Sequence, residues 1–126
     1  MSKLGYINVT GTIDSNGSSD FFWNGNVCSA KDVQDALDSF TDVDEIIVSI
    51  NSGGGSCDEG FAIYNLLTNS GKKITTRAVG TCASIASVIF LAGSKREVFK
   101  NTQVMIHLPM VMPFEPLNET ELAKVS

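Results

Sequence analysis

The sequence predicts an α/β fold built on a mainly parallel sheet, and three observations carry the expectation. Segments of strand character alternate with segments of helical period in the order β-α-β-α-β-α. Glu45 to Asn51 (EIIVSIN) is a short apolar run, the pattern of a parallel strand covered on both faces. Apolar residues make up 43% of the 126 and charged residues 18%, which is enough to bury a core and excludes a disordered composition. Crossovers between such strands should be right-handed.

The elements follow in order. Leu4 to Ile13 (LGYINVTGTI) alternates loosely and reads as a strand. Asp14 to Asn26 is rich in Ser, Gly, Asn and Asp and reads as a loop, with Phe21, Phe22 and Trp23 folded back on the core. Ser29 is placed to cap a helix running to about Phe40, with Val33, Leu37 and Phe40 on one face. The strand Glu45 to Asn51 should end in a glycine turn, Ser52 to Ser56. Asp58 to Asn69 is a second helix burying Phe61, Tyr64 and Leu66 or Leu67, with Gly71 as its C′ residue. Lys73 to Val79 is a strand, and Gly80-Thr81 turns it into an apolar helix from Ala83 to Ala92. Val98-Phe99 and Gln103 to His107 are short strands, and a last helix begins at Asn118 or Thr120. That helix has barely two turns, and short isolated helices are marginal, so the chain is expected to be cut inside a longer one.

Composition narrows the function. The net charge of −5 and the scattered basic residues argue against a nucleic-acid partner, because phosphate binding needs clustered Lys and Arg. Cys28, Cys57 and Cys82 are odd in number and irregular in spacing, as free thiols of a reducing compartment are. With no CxxC pair and a single histidine, a zinc site is not expected, and no metal or organic cofactor is implied. The N-terminus lacks the apolar run of a signal peptide. The longest apolar stretch, Ala83 to Ala92, is too short to span a bilayer. The expectation is a cytoplasmic protein with no membrane partner.

Three features bear on chemistry. Ser84 sits past a strand and a glycine turn at the start of an apolar helix, where a hydroxyl can be exposed as in a nucleophile elbow, although the spacing is not GxSxG. Taken alone, a serine at a helix start is more often a cap. His107 is the only histidine. Alone it reads as an inert histidine at a strand end, yet a serine nucleophile needs a base, and any Ser–His pair must use this one. Asn51-Ser52-Gly53-Gly54-Gly55 follows a buried strand, and its glycines let backbone N–H groups face open space, where they can bind an oxyanion. No Lys-Ser/Thr follows, so it is not a P-loop, and it does not fit GxGxxG. A plain tight turn is the alternative.

Together these segments resemble the Clp protease (ClpP) family. INSGGG, GFAIYNLL, VGTCASIASVIFLAG and VMIHLP occur in the order of the family pattern INSPGG, aIY, GxAASM and MIHxP. They look most like its bacteriophage branch, the prohead-maturation proteases. The resemblance implies the ClpP/crotonase-like fold of repeated β-β-α units, in one domain over residues 1–126 that lacks its C-terminal third. It implies a serine endopeptidase, with Ser84 as nucleophile and His107 as base. By the same resemblance Gly55, with Gly54 beside it, and Ile85 carry the oxyanion-hole N–H groups. It also implies a ring-shaped homo-oligomer, peptide or protein substrates such as capsid or portal proteins, and an ATPase unfoldase as partner.

The sequence departs from that pattern at three points. Gly53 stands where the family has proline. Cys82 replaces an alanine two residues before Ser84; a cysteine nucleophile is conceivable, but Cys82 sits in the turn and not at the matched position, so Ser84 is preferred. The family's catalytic aspartate lies downstream of the histidine, and of the acids after His107 (Glu115, Glu119 and Glu121) none matches it. Loss of the acid costs about 10⁴ in rate, so these 126 residues alone are expected to be inactive or weak. Competing readings are an inactive ClpP-fold scaffold, a crotonase-type acyl-CoA enzyme, and a Ser–Lys peptidase using Lys100 or Lys124.

Overall fold

The computed structural model describes residues 3–15 and 27–105. Its strands are β1 (Leu4–Ile13), β2 (Val27–Cys28), β3 (Glu45–Gly55), β4 (Lys73–Ala83), β5 (Lys95–Val98) and β6 (Gln103–Met105). Its helices are α1 (Ala30–Ser39), α2 (Cys57–Thr68) and α3 (Ile85–Phe90). The strands run parallel in the order β2-β1-β3-β4-β5. β6 also pairs in parallel with β4, further along the edge that β5 occupies. The α/β class and parallel sheet are therefore as the sequence indicates.

Capping chemistry sets the helix starts. Ser29 Oγ accepts from Asp32 N at 3.1 Å and Asp32 Oδ2 accepts from Ser29 N at 3.0 Å, a reciprocal capping box. Ser56 Oγ likewise accepts from Glu59 N at the head of α2. Glu59 then reaches back, its Oε1 accepting from Ala30 N at 2.8 Å, and so joins the two helix starts.

Alternation puts Ile46, Val48 and Ile50 of β3 on the face that receives Val33 of α1, Ile63 and Leu67 of α2, and Ile85 and Ile89 of α3. The sequence reading had both faces covered. Among the described residues the core lies on one face. Ile47 is buried outside that cluster, and Tyr6, paired with it on β1, is 59% exposed. On the same open face Arg77 Nε donates to Glu97 Oε1 at 2.6 Å across β4 and β5, and this bond holds the Glu97 carboxyl below its ordinary range.

Other expectations are corrected. Ser52 to Gly55 is not a turn but the extended end of β3, paired with Thr12 and Ile13 on one side and Cys82 on the other. Gly80 and Thr81 likewise lie inside β4. Flexible glycines read as punctuation in sequence, but here neighbouring strands supply the pairing that keeps them extended. Phe61 is 45% exposed, because α2 turns Gly60, Ile63 and Leu67 inward instead. Asn69 is the C-cap of α2, so Gly71, at φ +79°, falls one residue beyond the C′ position. The short strand β2 went unread. The loop aromatics and the last helix lie outside the described residues.

Gly60 is where α2 meets α3: a Cβ there would overlap Ile85 Cγ1. Gly60→Ala should therefore destabilise the fold by about 1–3 kcal/mol. Gly53→Ala, where a Cβ meets nothing within 4 Å, should change stability by less than about 0.5 kcal/mol. Urea unfolding midpoints of the two variants measure the difference.

Candidate active site

The C-terminal ends of parallel strands are where α/β sheets bind ligands, and here β3 and β4 are deformed at those ends. Between Ile50 and Ser52 the β3–β4 register shifts, because Ile50 pairs with Ala78 and Ser52 with Cys82. Asn51 fills the mismatch: its Oδ1 accepts from Thr81 N at 2.9 Å, and a Cβ on Gly80 would overlap that oxygen. A second shift falls between Thr10 and Thr12 in the β1–β3 pairing. Buried Ser52 bridges it, its Oγ donating to Gly11 O at 2.6 Å and accepting from Gly54 N at 3.0 Å. Bulges of this kind re-aim the backbone beside them. Sequence reasoning took Asn51 and Ser52 only as part of a glycine turn. The signal that could have found them is polar residues inside an otherwise apolar strand.

Ser84 stands where β4 ends and α3 begins. Its backbone lies at φ 57°, ψ −130°, and Asn101 is the only other non-glycine residue of positive φ among those described. Such a conformation costs on the order of 1–3 kcal/mol and persists only where the surroundings enforce it. Two restraints do so. Ser84 N donates to Met105 O of β6 at 3.2 Å, and Ser84 O accepts from Ser87 N at 2.9 Å. Among the described residues three serines directly precede helices. Ser29 and Ser56 make capping bonds, whereas Ser84 makes none among the described residues. The capping alternative for Ser84 is thus not what the fold uses. Its side chain is half-buried.

Gly54 approaches that side chain directly. It has φ +107°, and a Cβ on it would lie 2.8 Å from Ser84 Cβ and 3.2 Å from Ser84 Oγ. Gly55, at φ +148°, is instead pressed on Ile13 of β1, whose backbone a Cβ would strike. Ile85 is fully buried against Gly60. The structure thus brings Ser84, Gly54 and Ile85 together, with Gly55 next in the chain. His107 lies outside the described residues, as do Glu115, Glu119, Glu121 and Lys124.

Cys82 is not disposed as a nucleophile. It is buried in the core with Sγ 3.4 Å from Ala86 O, and burial pushes its thiol up to about 11. Little thiolate then exists near neutral pH. Cys28 is raised to about 11 as well, first by burial and then by Asp32 and Glu59. Lys100 is exposed. No group of three or more His, Cys, Asp or Glu among the described residues is placed to hold a metal ion. Nor is any helix among them long and apolar enough to cross a membrane.

The parallel sheet thus carries, at the C-terminal ends of its strands, a strained and uncapped serine beside glycine backbone. The sequence profile described as Clp protease matches residues 29–122. The chain belongs to the Clp protease family. The ATP-dependent Clp protease proteolytic subunit of Pleurastrum terricola is 40% identical over 75 residues, covering 58% of this chain and 38% of that one. The subunit of the same description from Bacteroides fragilis is 40% identical over 76 residues, covering 59% and 37%. The match thus spans little more than a third of these relatives' length. Among solved structures, ClpP1 from Listeria monocytogenes aligns with a TM-score of 0.65 at 22% identity, over 95% of this chain and 64% of that one, a likeness of fold.

Gly54→Ala should lower the rate at which Ser84 reacts with a fluorophosphonate by at least about tenfold, because the added Cβ would lie 2.8 Å from Ser84 Cβ and displace the hydroxyl. Circular dichroism should stay native-like. Mass spectrometry of the labelled Ser84 peptide over time reads the effect.

Proposed function

We propose that this protein is a serine endopeptidase subunit in which Ser84 attacks the peptide carbonyl and His107 takes and returns the proton. The observation that carries the reading is the strained backbone of Ser84, with a hydroxyl that caps nothing and bare Gly54 backbone beside it. Strain of this kind is kept where it serves a site. Chain connectivity supports His107: it follows Met105 by two residues, and Met105 O is bonded to Ser84 N. Two residues reach at most about 7 Å.

The alternation of a strand's N–H groups supports Gly55 as one oxyanion donor. Ser56 N donates to Ile13 O, and Gly54 N donates to Ser52 Oγ, which itself bridges to β1. Both point to the β1 side, so the intervening Gly55 N–H faces away from β1, the side on which β4 and Ser84 lie. Ile85 N–H is the second donor. Two such N–H groups stabilise the negative oxygen of the tetrahedral intermediate. A carboxylate completing a triad would hold His107 in its correct tautomer.

The finer assignment rests on motifs. The likeness of INSGGG and GTCASIAS to phage prohead-maturation proteases supports cleavage of capsid or portal proteins, in a cytoplasmic setting. The relatives' description as ATP-dependent proteolytic subunits supports a ring-shaped homo-oligomer served by an ATPase. The single contiguous core of the described residues supports one domain.

In the protein at its native length, a fluorophosphonate should label Ser84 alone. Ser84→Ala should abolish labelling, and His107→Ala should slow it by roughly 10²–10⁴-fold. No labelling at Ser84 would favour the scaffold reading. Tight acyl-CoA binding in its place would favour the crotonase one.

A further inference from the structure

Ser87 is 3% exposed, and in addition to its backbone N–H its hydroxyl has one partner among the described residues, the same carbonyl of Ser84, at 2.6 Å. Serines in helices often bond backwards to a carbonyl three or four residues earlier, so the bond by itself is ordinary. Its consequence here is not. The carbonyl of Ser84 and the N–H of Ile85 belong to one planar trans peptide and point in opposite directions. Whatever fixes that carbonyl also aims the Ile85 N–H.

We propose that Ser87 is a positioning residue for the oxyanion hole: by donating to Ser84 O it locks the Ser84–Ile85 peptide plane with the Ile85 N–H turned toward the reacting carbonyl. The backbone N–H of Ser87 bonds the same oxygen at 2.9 Å, so the carbonyl is held by two donors. On the other side of the Ser84 Cα, the preceding peptide is held by Met105 O. The ψ of −130° at Ser84 is the torsion between these two anchored planes. Without the hydroxyl, one N–H bond remains to resist rotation of the second plane toward an easier ψ. The inference rests on the peptidase reading, since an oxyanion donor matters only if Ser84 is acylated or phosphonylated.

Saturable labelling of Ser84 by a fluorophosphonate tests it, on the native-length protein and on Ser87→Ala and Ser87→Thr, with thermal unfolding midpoints for all three. The expected result for Ser87→Ala is a maximal labelling rate down roughly tenfold with the half-saturating concentration unchanged, because the donor acts on the transition state. Ser87→Thr, which keeps the hydroxyl, should recover most of the rate even if its extra methyl lowers the midpoint. Equal maximal rates for Ser87→Ala and the unsubstituted protein would overturn the inference and leave the peptidase reading intact. So would a folded Ser87→Thr as slow as Ser87→Ala, or a change confined to the half-saturating concentration. Failure of the unsubstituted protein to label at Ser84 would overturn both.

Discussion

Gly54 presents bare backbone to the Cβ and Oγ of Ser84, and the arrangement of the sheet's C-terminal edge follows from that contact. A side chain on Gly54 would push Ser84 away, and at φ +107° an L-residue would itself be strained. To bring the glycine there, β3 must run on past its apolar core and shift register against both neighbours. Asn51 and Ser52 make those shifts affordable by supplying from their side chains the bonds that the ladders lose. β6 and Ser87 then hold Ser84 from the other side. The strain at one residue is offset by a shell of hydrogen bonds that would otherwise serve only the fold.

Much of this architecture was legible in the residues. EIIVSIN and the capped helix after Ser29 were readable because one has a short apolar core, Ile46 to Val48, and the other combines a cap with a 3.6-residue period. The extended course of Ser52 to Gly55 was not, because glycine has almost no conformational preference of its own. Partners thirty or more residues away in sequence, Gly11 bonded through its carbonyl to Ser52 and Thr81 through its N–H to Asn51, help decide its path. Phe61 misled for a different reason. An aromatic side chain reads as core, but the close packing of α2 on Ile85 demanded a glycine at position 60 and turned Phe61 outward.

The site was legible in part. Ser84 could be nominated from strand-turn-helix context and the ordered motifs, but its strain and its missing cap bond are visible only in three dimensions. Ser87 carried no signal, since a buried serine in an apolar helix looks like a packing residue. The position of Cys82 off the family motif already disfavours it as nucleophile, and its burial adds a physical reason. A thiol raised to about 11 inside the core is a poor nucleophile near neutral pH, whereas a half-buried hydroxyl needs only a base nearby. Membership of the Clp protease family and this local geometry both support Ser84 as the proposed nucleophile.

The central claim is that Ser84 is held in a strained conformation so that its reaction product finds two backbone donors waiting. A crystal structure of the native-length protein after phosphonylation tests it most directly. The account predicts the phosphorus on Ser84 Oγ, the Ser84 backbone still near φ 57° and ψ −130°, and the phosphonyl oxygen about 2.7–3.1 Å from the nitrogens of both Gly55 and Ile85. A phosphonyl oxygen turned to solvent, with Ser84 relaxed to an ordinary helical or extended conformation, would contradict it.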